Sequence, residues 1–220
     1  MSISVVIPAL VSDDKKLCLT AKCLESAKQT SLDHETIIVE TCTDYFKDSC
    51  DVHIYEKEKT TATKSINRGL RAANKKYVVL LTNDVILSPG WLECLLDCFT
   101  KHPDCGLSTL ATTQFNHVKQ DKISEGIWFS VAMFKHQDAY FDENFVNSWD
   151  DTDFIMRHYL KGLKMYRNYN CVVDHTPGQT QYENPNHKFN FLRNRQKFIE
   201  KYKPYSHTRI YKILVGGQVV

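Results

Sequence analysis

The chain has 220 residues, is 42% hydrophobic and 25% charged, and carries a net charge of +2. These values are ordinary for one large folded domain, or one domain with a modest extension, and leave ample room for a core. The near-neutral balance implies no polyanionic partner, and no apolar run approaches the roughly 18 residues that span a bilayer.

The start, Met1 to Pro8, lacks the basic segment and cleavage site of a secretion signal and reads as a core strand. The expected location is therefore cytoplasmic, with no integral membrane segment. The eight cysteines are then expected as thiols. None forms a Cys-x-x-Cys knuckle, and Cys94 and Cys98 stand at the i,i+4 spacing of helix packing residues.

Taken in order, Ile3 to Ile7 is a buried strand closed by Pro8. Lys15 to Gln29 is a helix with Leu17, Ala21, Leu24 and Ala27 on one face. Thr36 to Val39 is a second strand ending on Glu40, and Val52 to Tyr55 a short third. Thr61 to Asn74 carries Ala62, Ile66, Leu70 and Ala73 at the helical period. Tyr77 to Leu81 is a fourth strand. Trp91 to Lys101 is a helix between the start signal Pro89 and the stop signal Pro103. This alternation predicts an α/β fold with a mostly parallel central sheet and helices on both faces.

After about Gly106 the pattern loosens. Gly126 to Phe134 is strand-like, mixed or antiparallel. Trp149-Asp150-Asp151-Thr152-Asp153 opens a helix, because carboxylates suit the positive end of the helix dipole. Capping needs only one of these mutually repelling acids, which points to a second role for the others. From His187 onward cations (Lys188, Arg193, Arg195, Lys197, Lys201) alternate with Phe189, Phe191, Phe198 and Tyr202. That tail reads either as an amphipathic helix over Asn190 to Lys201 or as a surface for acidic lipid or nucleic acid. The expected organisation is one domain in two halves, 1–110 and 111–186, followed by a basic aromatic C-terminal helix and tail (187–220).

The most informative stretch is Tyr77 to Leu81 running into Thr82-Asn83-Asp84. A strand buried on both faces ends on polar groups that are costly to bury. In open α/β sheets that end faces the ligand crevice. A carboxylate there can hold a divalent cation beside a diphosphate; the plain alternative is a turn residue before Pro89-Gly90.

The order of these motifs resembles the family-2 glycosyltransferases of GT-A fold, over Ser4 to about Lys203. The residues carrying the resemblance are Val5-Val6-Ile7-Pro8, Ile37-Ile38-Val39-Glu40 with Thr43-Asp44, and Lys64-Ser65-Ile66-Asn67-Arg68-Gly69. They continue through Thr82-Asn83-Asp84 with Ser88-Pro89-Gly90-Trp91-Leu92, Phe141-Asp142-Glu143, Trp149 to Asp153, and His175-Thr176-Pro177-Gly178. Three positions depart from the family pattern. Thr82 replaces the first aspartate of Asp-x-Asp, Glu40 stands in place of a shorter aspartate, and Asp150 replaces a glutamate.

The resemblance implies that 1–110 is a nucleotide-sugar-binding half and 111–186 an acceptor and catalytic half of the same domain, with a small mixed acceptor-side region. It also implies an inverting transfer of sugar from a nucleoside diphosphate donor, a UDP-sugar, to an acceptor hydroxyl. Mn2+ or Mg2+ would be held by Asp84 and His175. Pro8, Ala9, Glu40, Asp44, Lys64, Asn67, Asn83, Asp84 and Trp128 would contact or frame the donor. Asp151 would be the general base, with Asp150 and Asp153 raising its proton affinity. Bland alternatives stand beside each role: a backbone-bonded histidine for His175, helix capping for Asp150 and Asp153, turn residues for Glu40 and Asp44, and a core indole for Trp128. The acceptor is expected to be a glycan or glycoconjugate. DNA carrying a hydroxymethylated base is an alternative because of the basic tail. A non-catalytic sugar-nucleotide or glycan-binding module is the reading from another class.

Overall fold

The computed structural model describes residues 2–138, 140–175 and 186–216. Its strands are β1 (Ile3–Leu10), β2 (Glu35–Thr41), β3 (Val52–Glu56), β4 (Tyr77–Leu81), β5 (Val85–Ile86), β6 (Cys105–Thr112), β7 (Ile123–Glu125), β8 (Val131–Lys135) and β9 (Lys164–His175). Its helices are α1 (Asp14–Ala27), α2 (Ala62–Ala72), α3 (Trp91–Lys101), α4 (Asp150–Leu160), α5 (His187–Tyr202) and α6 (Arg209–Gly216). The strands form a nine-stranded sheet in the order β3-β2-β1-β4-β8-β6-β9-β5, with β7 on β9. Pairing is parallel among β3, β2, β1 and β4. β8 is antiparallel to both β4 and β6, and β6 is parallel to β9. The long strands therefore point one way except β8, and the expected mostly parallel sheet is present.

Strand alternation sorts two cores. Val5, Ile7 and Ala9 of β1 pack with Val79 and Leu81 of β4 under α1 and α3, whose Leu24, Trp91 and Leu95 cover that face. Val6, Val78, Leu80 and Phe134 face the other way, against Leu70 of α2, Phe154 of α4 and Phe198 of α5. Both faces of the sheet are thus covered, as a parallel sheet requires. Gly69 sets the approach of α2, since a Cβ there would lie 2.3 Å from Val6 Cγ1.

Several expectations need correction. β1 does not close at Pro8. Its ladder with β4 ends at Val6, and it runs on to Leu10 against β2 alone. β6, β9 and α6 were not foreseen. β6 is wholly buried but reads Cys-Gly-Leu-Ser-Thr-Leu-Ala-Thr, with hydroxyls that bond inward: Ser108 Oγ to Leu95 O and Thr109 Oγ1 to Val131 O. Of the strand-like run 126–134, only the part from Val131 is strand, because Trp128 takes a left-handed backbone with φ of 70°. The cysteines are not all thiols either. Cys94 of α3 is joined to Cys171 of β9, while Cys18, Cys23, Cys42, Cys50, Cys98 and Cys105 are free. No described helix is long and apolar enough to cross a membrane.

Candidate active site

The carboxyl ends of β1, β2, β4, β6 and β9 open onto one cleft of about 630 Å³. Each strand delivers residues at its end. β1 gives Pro8, Ala9 and Leu10; β2 gives Thr41; and the turn after β4 gives Thr82, Asn83 and Asp84. The turn after β6 gives Gln114 and Phe115, and β9 gives His175. The opposite wall is Trp128 to Ser130 and the loop into α4, with Asn147, Ser148, Trp149, Asp150 and Asp151. The two carboxylate motifs, far apart in sequence, therefore share one cavity.

Asp84 and His175 form one pair in it. β5 pairs antiparallel with β9, setting Val85 opposite His175. This places His175 Nε2 3.5 Å from Asp84 Oδ1. His175 Nδ1 lies 2.7 Å from Gln114 Oε1, and in the tautomer that donates this bond Nε2 is free to ligate a cation beside the carboxylate. A ring nitrogen and a carboxylate oxygen this close could both bind one divalent cation. No group of three or more His, Cys, Asp or Glu side chains able to hold a metal occurs among the described residues. That is compatible with Mg2+ or Mn2+ beside a diphosphate, since such ions keep phosphate and water as their other ligands. Charge points the same way. Among the described residues the cleft is lined by Asp84, Asp150 and Asp151 against the one lysine Lys59, a balance that repels a diphosphate until a divalent ion inverts it. Thr176, Pro177 and Gly178 lie outside the described residues.

Asp150 and Asp151 form the second cluster, in the first turn of α4 and half-buried at the cleft. Burial and then the neighbouring Asp151 charge push the Asp150 carboxyl up to about 7. Burial also raises Asp151, opposed by hydrogen bonds from Thr152 N (2.7 Å) and Thr152 Oγ1 (3.2 Å) to its Oδ1. The pair thus retains a proton far above the usual carboxylate range and titrates as a unit. Asp153 is different. It neither caps the helix nor faces the cleft; wholly buried, it accepts from Arg157 Nε, Lys201 Nζ and Tyr202 Oη at 2.7–2.8 Å. It is an anchor between α4 and α5.

Other expected donor contacts are not brought to the cleft. Glu40 is fully buried, and its carboxylate accepts from Thr43 Oγ1, Tyr45 N, Phe46 N and His53 Nε2. Burial raises its pKa, but those four bonds outweigh burial and hold it below the usual range. It has become the hub of its own turn. Asp44 and Lys64 are exposed and do not line the cleft. Asn67 is buried and fixes a loop: its Oδ1 accepts from Phe141 N while its Nδ2 donates to Phe141 O and Glu143 Oε1. Asn83, Asp84, Trp128, Pro8 and Ala9 do line the cleft.

Lining residues not expected from sequence include Thr41, Lys59, Thr60 and Ser65. Thr41 and Ser65 both donate to the buried Glu56, which also takes Arg68. The available signal was the Thr60-Thr61 start of α2, where Thr61 accepts from Lys64 N as the helix cap. Gln114, Phe115 and Phe191 had no local signal.

A cleft at the strand ends of such a sheet, holding a carboxylate–histidine pair and a separate acidic pair, defines a GT-A-type nucleotide-sugar fold. Residues 4–163 match glycosyl transferase family 2, and the chain belongs to that family. Among solved structures it is similar to the mannosyltransferase PcManGT from Pyrobaculum calidifontis in complex with GDP-Man and Mn2+. The TM-score is 0.68 at 14% identity, covering 98% of this chain and 68% of that one. It is also similar to S. aureus TarS, with TM-score 0.65 and 15% identity over 90% of this chain and 40% of that one. TarS 1–349 in complex with UDP-GlcNAc gives TM-score 0.65 at 14% identity, over 90% and 67% of the two chains. The chain thus spans less than half the length of TarS. No curated protein matches it.

Proposed function

We propose that this chain transfers a sugar, with inversion, from a nucleoside diphosphate donor to an acceptor hydroxyl, the donor being a UDP-sugar and the acceptor a glycan or glycoconjugate. The observation that carries this reading is the shared cleft. Asp84 and His175 stand at one cluster of its wall, Asp150 and Asp151 at another. In the reaction the acceptor oxygen bonds to the anomeric carbon as the bond from that carbon to the diphosphate oxygen breaks, and the diphosphate carries away the electron pair. Asp151 takes the acceptor proton. Asp150, held protonated near neutrality, keeps the pair from carrying two charges at once. Asp84 and the Nε2 of His175, with Gln114 orienting the ring, would hold a Mn2+ or Mg2+ ion, which would supply positive charge against the departing diphosphate. Trp128, Phe129 and Phe115 give the cleft aromatic faces suited to sugar rings.

DNA as acceptor draws less support from the folded tail. Lys201 is turned inward onto Asp142 and Asp153, and Lys197 Nζ donates to Asn144 O. A binding module without catalysis leaves the half-buried acidic pair, which costs stability, without a purpose.

The test is release of free nucleoside diphosphate from UDP-glucose, UDP-galactose, UDP-N-acetylglucosamine and GDP-mannose, with and without Mn2+. Slow, metal-dependent hydrolysis of at least one UDP-sugar is expected. Binding of no nucleotide under any condition would sink the proposal.

A further inference from the structure

The acidic pair reaches the cleft on an unusual piece of chain. Asn147 and Trp149 both take left-handed backbones, with φ of 57° and 67°. Asparagine tolerates this conformation, but for a tryptophan it is unfavourable and persists only where the surroundings impose it. Trp149 is also the N-cap of α4, with no side-chain cap bond of its own. Something outside the loop must hold these two turns, because Asp150 and Asp151 follow directly.

Part of the hold comes from α2, where Thr63 Oγ1 donates to Phe145 O at 2.9 Å and Ala62 N to Asn147 Oδ1 at 3.2 Å, but the carbonyls that lead into the left-handed residues are held from α5. Asn194, fully buried, donates from Nδ2 to Val146 O at 3.0 Å, Ser148 O at 2.9 Å and Ser148 Oγ at 3.1 Å. Val146 O and Ser148 O belong to the peptide groups whose nitrogens are those of Asn147 and Trp149. One amide therefore fixes both peptide planes that enter the left-handed residues. The same helix face continues the seam: Lys197 Nζ donates to Asn144 O at 2.9 Å, and Lys201 Nζ to Asp142 Oδ2 at 2.8 Å. Positions 194, 197 and 201 lie along one stripe of the helix and meet the loop in reverse chain order, at Val146 and Ser148, then Asn144, then Asp142. The ring of Trp149 is gripped from the same side, its centroid 5.6 Å from Phe191 and 5.2 Å from Phe198.

We infer that Asn194, with Lys197 and Lys201 beside it, is a positioning residue for the reaction: α5 is a template that shapes residues 142–149 so that Asp150 and Asp151 project into the cleft. This rests on the proposed role of that acidic pair. It gives the cations of the C-terminal segment an internal task, in a part of the chain beyond the 4–163 family match. It also separates the roles of the cleft's two walls, since Asn194 touches neither Asp84 nor His175.

The decisive variant is Asn194→Asp, which keeps the shape but turns an acceptor-only group onto two carbonyl oxygens. UDP binding in Mn2+, read by calorimetry, is expected to stay within about twofold of the parent protein. Release of UDP from UDP-N-acetylglucosamine is expected to fall about a hundredfold, the scale of an angstrom of misplacement at a reacting group. The acid limb of its pH profile should shift, and amide hydrogen exchange in 144–152 should quicken while that in β1–β4 does not. Parent-like exchange in 144–152, or parent-like turnover where the parent hydrolyses the donor, overturns the inference. Should Asn194→Asp fail to fold, Lys197→Met, at a half-buried position outside the core, must quicken exchange in 144–152, and its failure to do so overturns the inference equally. A parent protein that binds no nucleotide would instead overturn the reading of the cleft and leave the exchange result standing.

Discussion

The two walls of the cleft, called donor and acceptor wall after the roles proposed for them, are built by different means. On the donor wall, the strand ladder itself sets each residue in place. Pro8 to Leu10, Thr41 and Thr82 to Asp84 are the continuations of β1, β2 and β4, and side chains such as Val6, Val79 and Leu81 lock those strands at 0% exposure. On the acceptor wall the cleft residues sit on loops with left-handed Trp128, Asn147 and Trp149. These loops are held by polar side chains giving hydrogen bonds to carbonyls. Arg167 Nη2 donates to Ile127 O and Trp128 O, and Asn194 to Val146 O and Ser148 O. The first construction fails by losing stability, because its geometry is the core. The second can lose geometry while the fold survives.

The largest effect should come from the acceptor wall. Asp151→Asn is expected to leave UDP binding intact and to lower transfer by about 10² to 10⁴, the range of a general base. Near-normal turnover would remove Asp151 from the mechanism. Asp84→Ala tests the donor wall. Metal-dependent binding of UDP should weaken by more than roughly the 10–100-fold typical of a ligand's supporting partner. An unchanged titration with UDP and Mn2+ would reject Asp84 as a ligand.

The same contrast explains what could be seen in the sequence. The donor half was legible because its strands are short apolar runs and its helices carry one apolar stripe. β4 and α3 fall at Tyr77–Leu81 and Trp91–Lys101 as expected, and α1 and α2 within two residues of their expected edges or closer. Asp84 and His175, and the acidic run after Trp149, were recognisable by motif order. β6 and β9 were not, since hydroxyls and amides occupy positions that long-range partners satisfy: Ser108, Thr109 and Asn168 are all fully buried. Glu40 misled for the related reason that a carboxylate at a strand end reads alike whether it faces a ligand or folds back onto Tyr45 N and Phe46 N. Nor does helical spacing among lysines reveal that Lys197 and Lys201 turn inward.

Asp150→Asn sharpens the comparison through pH. The folded Asp150 carboxyl is raised from 3.8 to about 7, so between those values the native state binds more protons than the unfolded chain. Unfolding free energy therefore falls as pH rises through that window, and the loss is complete only above it. The amide variant lacks this loss. Its stability relative to the parent should climb from pH 4 to about pH 7 and then level off, while turnover drops. Parallel stability curves would show that Asp150 is not held protonated. Gly69→Ala acts in the other wall and in the other currency. Its Cβ would meet Val6 Cγ1 at 2.3 Å and Val39 Cγ2 at 3.0 Å, side chains fixed in the central strands. A cost of about 1–3 kcal/mol in chemical denaturation is expected, with turnover of the folded fraction unchanged.

The smallest effect is assigned to Asp44. It is exposed on the turn that Glu40 organises, and among the described residues no hydrogen bond or ion pair ties its carboxylate to the cleft. If β2 delivers donor contacts only through its last residue, Thr41, then Asp44→Ala should alter stability by less than about 0.5 kcal/mol. UDP affinity should change by less than about twofold, under half a kcal/mol by the same conversion. Thr41→Val, which keeps the volume and removes the hydroxyl, should weaken UDP binding more than Asp44→Ala does. The reverse order would mean that the turn after β2 swings toward the nucleotide on binding. The donor wall would then share the adaptable construction of the acceptor wall, and the division between a rigid half and a templated half would fail at its clearest point.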